Sequence, residues 1–454
     1  MQGHINREIK QPSAATSDAT SPNAVRTPRS AWATAVILLM LYALSFLDRQ
    51  IMAMMIVPIQ RDLQINDFQV SLLLGVAFAL LYTTCGLFAG SFVDRMARRP
   101  LIAGGVVLWG SATALCSMAG TYIHMFIARM FVGLGESVLT PAAYSMLSDA
   151  FPPRRLALAL GIFAVGTTAG AGISMVGGGA LINFITDHPS INLSFLPEMQ
   201  AWQLVFLIVG LGGVPLGFLI YLIPEPTRKG RLHDGRKSWA DTLRFMASRK
   251  ELWASIILVY GPAAMLNYGV TLWTPTYMIR EFGWSIGHVG LVLGMIVVLA
   301  GASGQLFFGW LVDTLYTLGN RDIHLRFYTY ATLVGVPVAI VAFMSSNPAV
   351  LIIGLAIVYA LLMSFAGYAG ASVQLTTPNE YRGRMAAVFM LVLNVPGLAL
   401  GPPLIALLST HGPYTDGSIG HGIAMTFILL GPVILFGTIW GRKYLKQALS
   451  DQQA

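Results

Sequence analysis

Twelve apolar stretches, each long enough to cross a bilayer, follow one another along the chain: 31–57, 69–93, 101–120, 123–150, 155–185, 201–223, 252–279, 288–312, 327–346, 349–371, 384–409 and 422–441. A hydrocarbon core about 30 Å thick takes about 20 apolar residues in a helix. Inside it every backbone N–H and C=O needs a partner within the segment, so these runs are helices rather than open strands. Barrel strands would instead show weak alternation over about ten residues. Composition leaves little else to build: 55% of the 454 residues are hydrophobic and 11% charged, against about 25% charged in soluble domains. Cys85 and Cys116 both fall in apolar runs, so no disulfide framework is implied. The expected fold is an all-α polytopic membrane protein with twelve transmembrane helices.

Charge sets the expected orientation. Twenty-four of the 28 Lys and Arg residues fall on one side if the N-terminus is cytoplasmic; Arg61 and Arg280 face the other side, and Arg49 and Arg129 lie within spans. This positive-inside bias puts both termini in the cytoplasm and the protein in the cell membrane. It also accounts for the net charge of +8 without nucleic acid. Residues 1–30 are polar, lack the apolar region of a signal peptide, and are read as a disordered cytoplasmic tail. The rest divides into a six-helix bundle over 31–224, a cytoplasmic linker over 225–250, a second bundle over 251–441, and a tail over 442–454. Asn192-Leu193-Ser194 matches a glycosylation sequon, which matters only in a eukaryotic secretory membrane.

The two bundles are related by an internal repeat. Gly90-Ser91-Phe92-Val93-Asp94-Arg95 after span two is echoed by Gly309-Trp310-Leu311-Val312-Asp313 after span eight. Basic residues open span five (Arg154, Arg155) and span eleven (Arg382, Arg384) alike. Duplicated six-span units are typical of transporters whose substrate site lies near the midplane between the repeats.

The loop after span two carries a family resemblance. Gly90, Asp94, Arg95, Arg98 and Arg99 resemble the G-x-x-x-D-R-x-G-R-R signature of the major facilitator superfamily, with Phe92 in place of the usual Leu and Ala97 in place of Gly. The six-plus-six pattern extends the likeness to the whole chain. The resemblance implies a cytoplasmic latch made of these residues and Asp313, with Asp149 receiving an arginine of the loop; Arg95 is the expected donor. The bland alternative is that these charges only anchor helix ends. In span five, Gly161, Gly166, Gly170 and Gly172 are expected to let helices approach closely.

Four ionisable side chains lie well inside spans: Asp48, Arg49, Arg129 and Glu136. Each costs at least about 2.5–3.5 kcal/mol to place mid-membrane, which makes them functional candidates. Arg129 and Glu136 are two turns, about 10 Å, apart on one helix face. All four share a depth range if spans one and four face each other, as they do around the cavity of the resembled superfamily. A purely structural ion-pair network is the competing explanation. The histidines sit at span ends or in loops, which leaves Glu136 as first proton carrier and Asp48 as second, with Arg49 and Arg129 as head-group ligands. Spans seven and ten carry no mid-span charge and offer Asn267, Tyr268, Trp273, Tyr359, Ser364 and Tyr368 as cavity lining.

Phe46-Leu47-Asp48-Arg49 and Arg129-x-x-x-Gly133-x-Gly135-Glu136 are similar to patterns of the spinster branch, with Ser45 where Asn is expected. That branch moves lysolipids and sphingoid phosphates. Slightly altered forms occur in proton-coupled organic-anion symporters. The expectation is therefore a proton-coupled, alternating-access carrier, acting as a monomer on an amphiphilic anion. The alternative is an organic-anion symporter for sugar acids or carboxylates, or a multidrug efflux carrier. No H-E-x-x-H or P-loop spacing appears, so neither an enzyme, a metal site nor a nucleotide-driven pump is expected. No cofactor is called for beyond the proton gradient.

Overall fold

The computed structural model describes residues 29–187, 199–228, 239–378, 380–413 and 417–451, apart from the side chains of Ser91, Asp94, Pro153, Arg154 and Ala157. The sequon at 192–194 and most of the 1–30 tail lie outside the described residues. Among the described residues, twelve helices are long and apolar enough to cross a membrane. The first half holds spans Arg29–Met54, Asp67–Gly90, Arg98–Cys116, Tyr122–Ala150, Leu158–Asp187 and Ala201–Leu222. The second holds Lys250–Phe282, Ile286–Thr317, Ile323–Met344, Pro348–Leu375, Arg384–His411 and Ile419–Asp451. Two boundaries differ from expectation. Span twelve runs on as one 33-residue helix to Asp451 through much of the expected tail, and the linker contains the helix Trp239–Ser248.

Several spans are broken where the site needs them to be. Span four stops at Glu136 and restarts at Leu139. Pro141, three residues into the new helix, has no N–H to give to the preceding turn, which accounts for the break. Spans five, eight and eleven each contain a π-helical segment, Ser174–Gly178, Ile296–Ala302 and Val395–Leu400. Such segments leave the i→i−4 ladder out of step and recur at functional sites.

Close packing of small residues holds each half together. A Cβ at Gly166 would stand 2.8 Å from the Leu39 carbonyl oxygen, and one at Gly170 would stand 2.3 Å from that of Ala43, so span five lies directly on span one. Gly172 instead faces Val298 of span eight, and Gly161 faces open space. The halves meet through spans two and eleven and through spans five and eight. A Cβ at Gly75 would be 2.0 Å from the Leu398 oxygen, and one at Gly290 2.1 Å from the Met175 oxygen. Away from the arginine-rich end, Arg280 of span seven forks onto Asp67 of span two at 2.7 and 2.9 Å and also donates to Gln60 at 2.6 Å. The Gly287 amide donates to Asn183 across the same end at 3.2 Å. The halves are thus pinned together at the end opposite the basic loops.

Candidate functional site

Span one brings Asp48 and Arg49 onto the faces of spans two, three and four. All four expected mid-membrane charges are buried, at 2% for Asp48, 9% for Arg49, 1% for Arg129 and 1% for Glu136. Glu136 Oε2 is the centre of the group. It accepts from Arg49 Nε at 2.6 Å and from the Ser45 hydroxyl at 2.6 Å, and Arg49 Nη2 stands 2.5 Å away in the same ion pair. Ser45, which departs from the resembled pattern, therefore still supplies a donor to the buried glutamate. Asp48 Oδ2 accepts from Thr113 of span three at 2.6 Å.

The guanidinium of Arg49 is enclosed by aromatic faces. Its Cζ lies 5.0, 4.5 and 4.6 Å from the ring centroids of Phe46, Phe78 and Tyr82. Each such contact is worth about 0.5–2 kcal/mol, the upper end where water is excluded. Arg129 lies over Phe78 at 5.9 Å. Not every polar atom is satisfied: Glu136 Oε1, Asp48 Oδ1, Gln50 Oε1 and Arg129 Nε and Nη1 are buried with no hydrogen-bond partner. An unmet buried group costs about 1–3 kcal/mol, more if charged, so such a cluster calls for an explanation. Arg129 therefore does not grip Glu136 from two turns away; Arg49 does.

A cavity of about 190 Å³ adjoins this cluster between the halves. Phe46 and Gln50, which flank Arg49 in sequence, belong to its wall. Asn267, Tyr268, Tyr359 and Ser364 line it as expected. Trp273 and Tyr368 do not. Trp273 is buried with its indole N–H on the Pro402 carbonyl at 3.0 Å, and Tyr368 packs on Phe327 and Tyr328. Both serve helix packing, the commoner fate of a membrane aromatic. Gln50, Thr167, Thr168, Thr271 and Gln305 take their place. Sequence reasoning passed over these because neutral polar side chains are inexpensive in a helix and stand out little from their neighbours. Thr271 and Tyr359 share a hydrogen bond of 3.2 Å across the wall.

At the basic end, the arginine on Asp149 is Arg98, not Arg95. Arg98 Nη1 donates to Asp149 and to the Ser145 hydroxyl, its Nη2 to the Pro226 carbonyl, and its backbone N–H to Glu225 at 2.8 Å. Arg98 opens span three and is fully buried, whereas Arg95, at the end of the preceding helix, is exposed. Burial acts to raise the Glu225 carboxyl, but the hydrogen bonds from Arg98 outweigh it and hold the group below its usual range. Arg99 donates to the Tyr221 carbonyl at 2.7 Å. A side chain at Gly90 would meet nothing, and Asp313 is exposed. The side chain of Asp94 lies outside the described residues.

Two six-helix halves around a cavity, with charges buried beside it, have the architecture of a secondary transporter. The chain belongs to the major facilitator superfamily: its family model matches residues 38–402. Among relatives, an MFS-type efflux pump of Mycolicibacterium smegmatis is 26% identical over 419 residues, covering 91% of this chain and 92% of that one. The D-galactonate transporter of Escherichia coli O6:H1 is 23% identical over 441 residues, covering 92% and 96%. Protein spinster of Drosophila melanogaster is 23% identical over 286 residues, 61% of this chain and 45% of that one. Among solved structures, a bacterial homolog of the human lysosomal transporter Spinster, inward-facing and unoccupied, superposes with a TM-score of 0.80 at 22% identity, covering 93% of this chain and 98% of that chain. That likeness establishes the fold.

Proposed function

We propose that this transporter is a proton-coupled carrier of an organic anion, with Glu136 carrying the proton, Asp48 assisting, and Arg49 and Arg129 holding the anion. The observation that carries the reading is the grip of Arg49 and Ser45 on one oxygen of a buried glutamate beside the cavity. Two acids and two bases leave the cluster neutral overall, so an arriving anion finds no surplus positive charge. Protonating Glu136 cancels its charge and releases Arg49 in one step, which supplies the missing cation at the moment of binding. Proton and anion then bind together or not at all.

The wall narrows the substrate class. With amide and hydroxyl groups from Gln50, Asn267, Gln305, Thr167, Thr168 and Thr271, it suits an anion whose uncharged part carries hydroxyls, such as a sugar acid. The whole-length similarity to a D-galactonate transporter supports the same choice. A second reading, an amphiphilic anion of the lysolipid or sphingoid-phosphate kind, is favoured by Phe46, Met175, Val297 and Met363 in the same wall. In both readings the basic end faces the cytoplasm of the cell membrane, and the pinned opposite end fits the inward-facing half of the cycle. The latch of the first half centres on Arg98 with Asp149 and Glu225; Gly90, Asp94, Arg95 and Arg99 lie around Arg98 between spans two and three, and Asp313 is the counterpart of Asp94 at the end of span eight.

Uptake into proteoliposomes under an imposed pH gradient tests this. Labelled D-galactonate, lysophosphatidylglycerol and a cationic dye are offered in parallel. Gradient-driven accumulation of galactonate supports the first reading, and accumulation of the lysolipid alone moves the assignment to the second. Transport of the dye alone assigns efflux, and transport indifferent to the gradient removes proton coupling.

A further inference from the structure

We propose that a second site, remote from the central cavity, binds the phosphate headgroup of an anionic phospholipid. It is a pocket of about 690 Å³ at the basic end, between the turn preceding span nine and the last turns of span twelve. Its charged and polar wall includes Arg321, Asp322, Arg326, Lys446, Gln447 and Ser450. The turn is possible because Gly319 adopts φ +95°, a left-handed conformation that residues with a side chain resist.

The charge count points to an anion. Asp322, with its side chain 1% exposed, accepts from Arg326 Nη2 at 2.8 Å and from Arg442 Nε at 2.7 Å, and lies 3.6 Å from Lys446 Nζ. One carboxylate neutralises one of these three cations. Arg321, which forms no ion pair among the described residues, adds another. The arrangement inverts that of the first half, where a buried cation, Arg98, is surrounded by Asp149 and Glu225. Here a buried anion organises a surplus of cations, and the side chain of Lys446 remains 52% exposed. Phosphate oxygens fit such a set of fixed N–H donors.

Depth points to a lipid as the source of the phosphate. The 33-residue span twelve is about 50 Å long, against a core of about 30 Å, so its last turns stand at headgroup level. Trp440 and Tyr444 pack at 5.5 Å, and Lys443 lies over Tyr444 at 4.6 Å, as in an interfacial aromatic belt. Leu318, next to the pocket turn, is 73% exposed and offers an apolar contact for an acyl chain. Basic pockets between helices at this level bind anionic headgroups.

The test uses the full-length purified protein in a neutral detergent. Dioleoyl phosphatidylglycerol is expected to raise the melting temperature by about 2–4 °C, where dioleoyl phosphatidylcholine and sodium phosphate do not. Arg321→Gln, which breaks no ion pair, should fold normally and lose most of that shift, and Arg321→Gln with Lys446→Gln should lose all of it. Native mass spectrometry should show phosphatidylglycerol retained on the parent and not on the double variant. No shift in the parent, or an unchanged shift in the double variant, overturns the site. An equal shift with sodium phosphate overturns the lipid assignment in favour of a soluble anion.

Discussion

Replacing Glu136 by Gln keeps the shape of the side chain and removes the charge and the proton it can carry. Removing one partner of a buried ion pair costs about 3–5 kcal/mol. Two features reduce that here. Arg49 keeps the faces of Phe46, Phe78 and Tyr82, and the new amide oxygen can still accept one of the two hydrogen bonds that Oε2 receives. A net loss of about 1–3 kcal/mol remains, small enough for the protein to fold. Function should change far more. One proton moving down a one-unit pH gradient supplies about 1.4 kcal/mol, enough for about tenfold accumulation of the substrate. The parent in proteoliposomes should approach that ratio, while Glu136→Gln should stop at equal concentrations on both sides. Exchange of labelled for unlabelled substrate, which needs no net proton movement, should persist. Accumulation by the variant to the parent's level, with the parent's pH dependence, refutes the assignment of Glu136 as proton carrier.

Arg49→Lys and Arg129→Lys keep the charge but lose the planar donor set, and each should slow transport about tenfold or more; parent-like rates in both would make them generic charge balancers. Arg280→Gln removes the fork onto Asp67 and Gln60 that pins the halves, so spin labels at Gln64 and Glu281 should report a new, longer separation, and an unchanged distance distribution denies the pin its role. The last prediction concerns acid stability at Asp322. Burial raises its carboxyl, but hydrogen bonds from Arg442 and Arg326 prevail and hold it below its ordinary value. A depressed folded-state pKa gives stability that is present above the unfolded value, about 3.9, and lost as the pH falls through the folded one. The melting-temperature gap between the parent and Asp322→Asn should therefore be full at pH 7 and shrink below about pH 4; a gap of the same size at both would refute the charge account.

The spans were legible because twenty-residue apolar runs have few alternatives, and the four buried charges because each is costly where it stands. What joined them was not. Whether Arg49 or Arg129 holds Glu136 depends on a rotation of span one against span four, which periodicity along one helix does not fix. Thr113 and Ser45 are common in membrane helices, and nothing local marks them as partners of Asp48 and Glu136. The choice of Arg98 over Arg95 turns on which of two neighbouring helices each belongs to, one closing at Arg95 and the next opening at Arg98. Trp273 and Tyr368 misled because an aromatic in a transporter helix reads the same whether it faces a cavity or a neighbouring span.

The contacts of Gly75 with Leu398 and of Gly290 with Met175 bear on how well the carrier holds a gradient. A position where even a methyl group would stand about 2 Å from a carbonyl oxygen has no space for a water molecule. Protons cross proteins along chains of water, so these two glycines insulate the closed side while the other is open. A larger residue at Gly75 would press on Leu398, outside the cavity wall, whereas one at Gly290 would also push on Met175 of that wall. At Gly75 the parted spans would let ions slip past between strokes, so that turnover would continue while the gradient proposed to drive it leaked away.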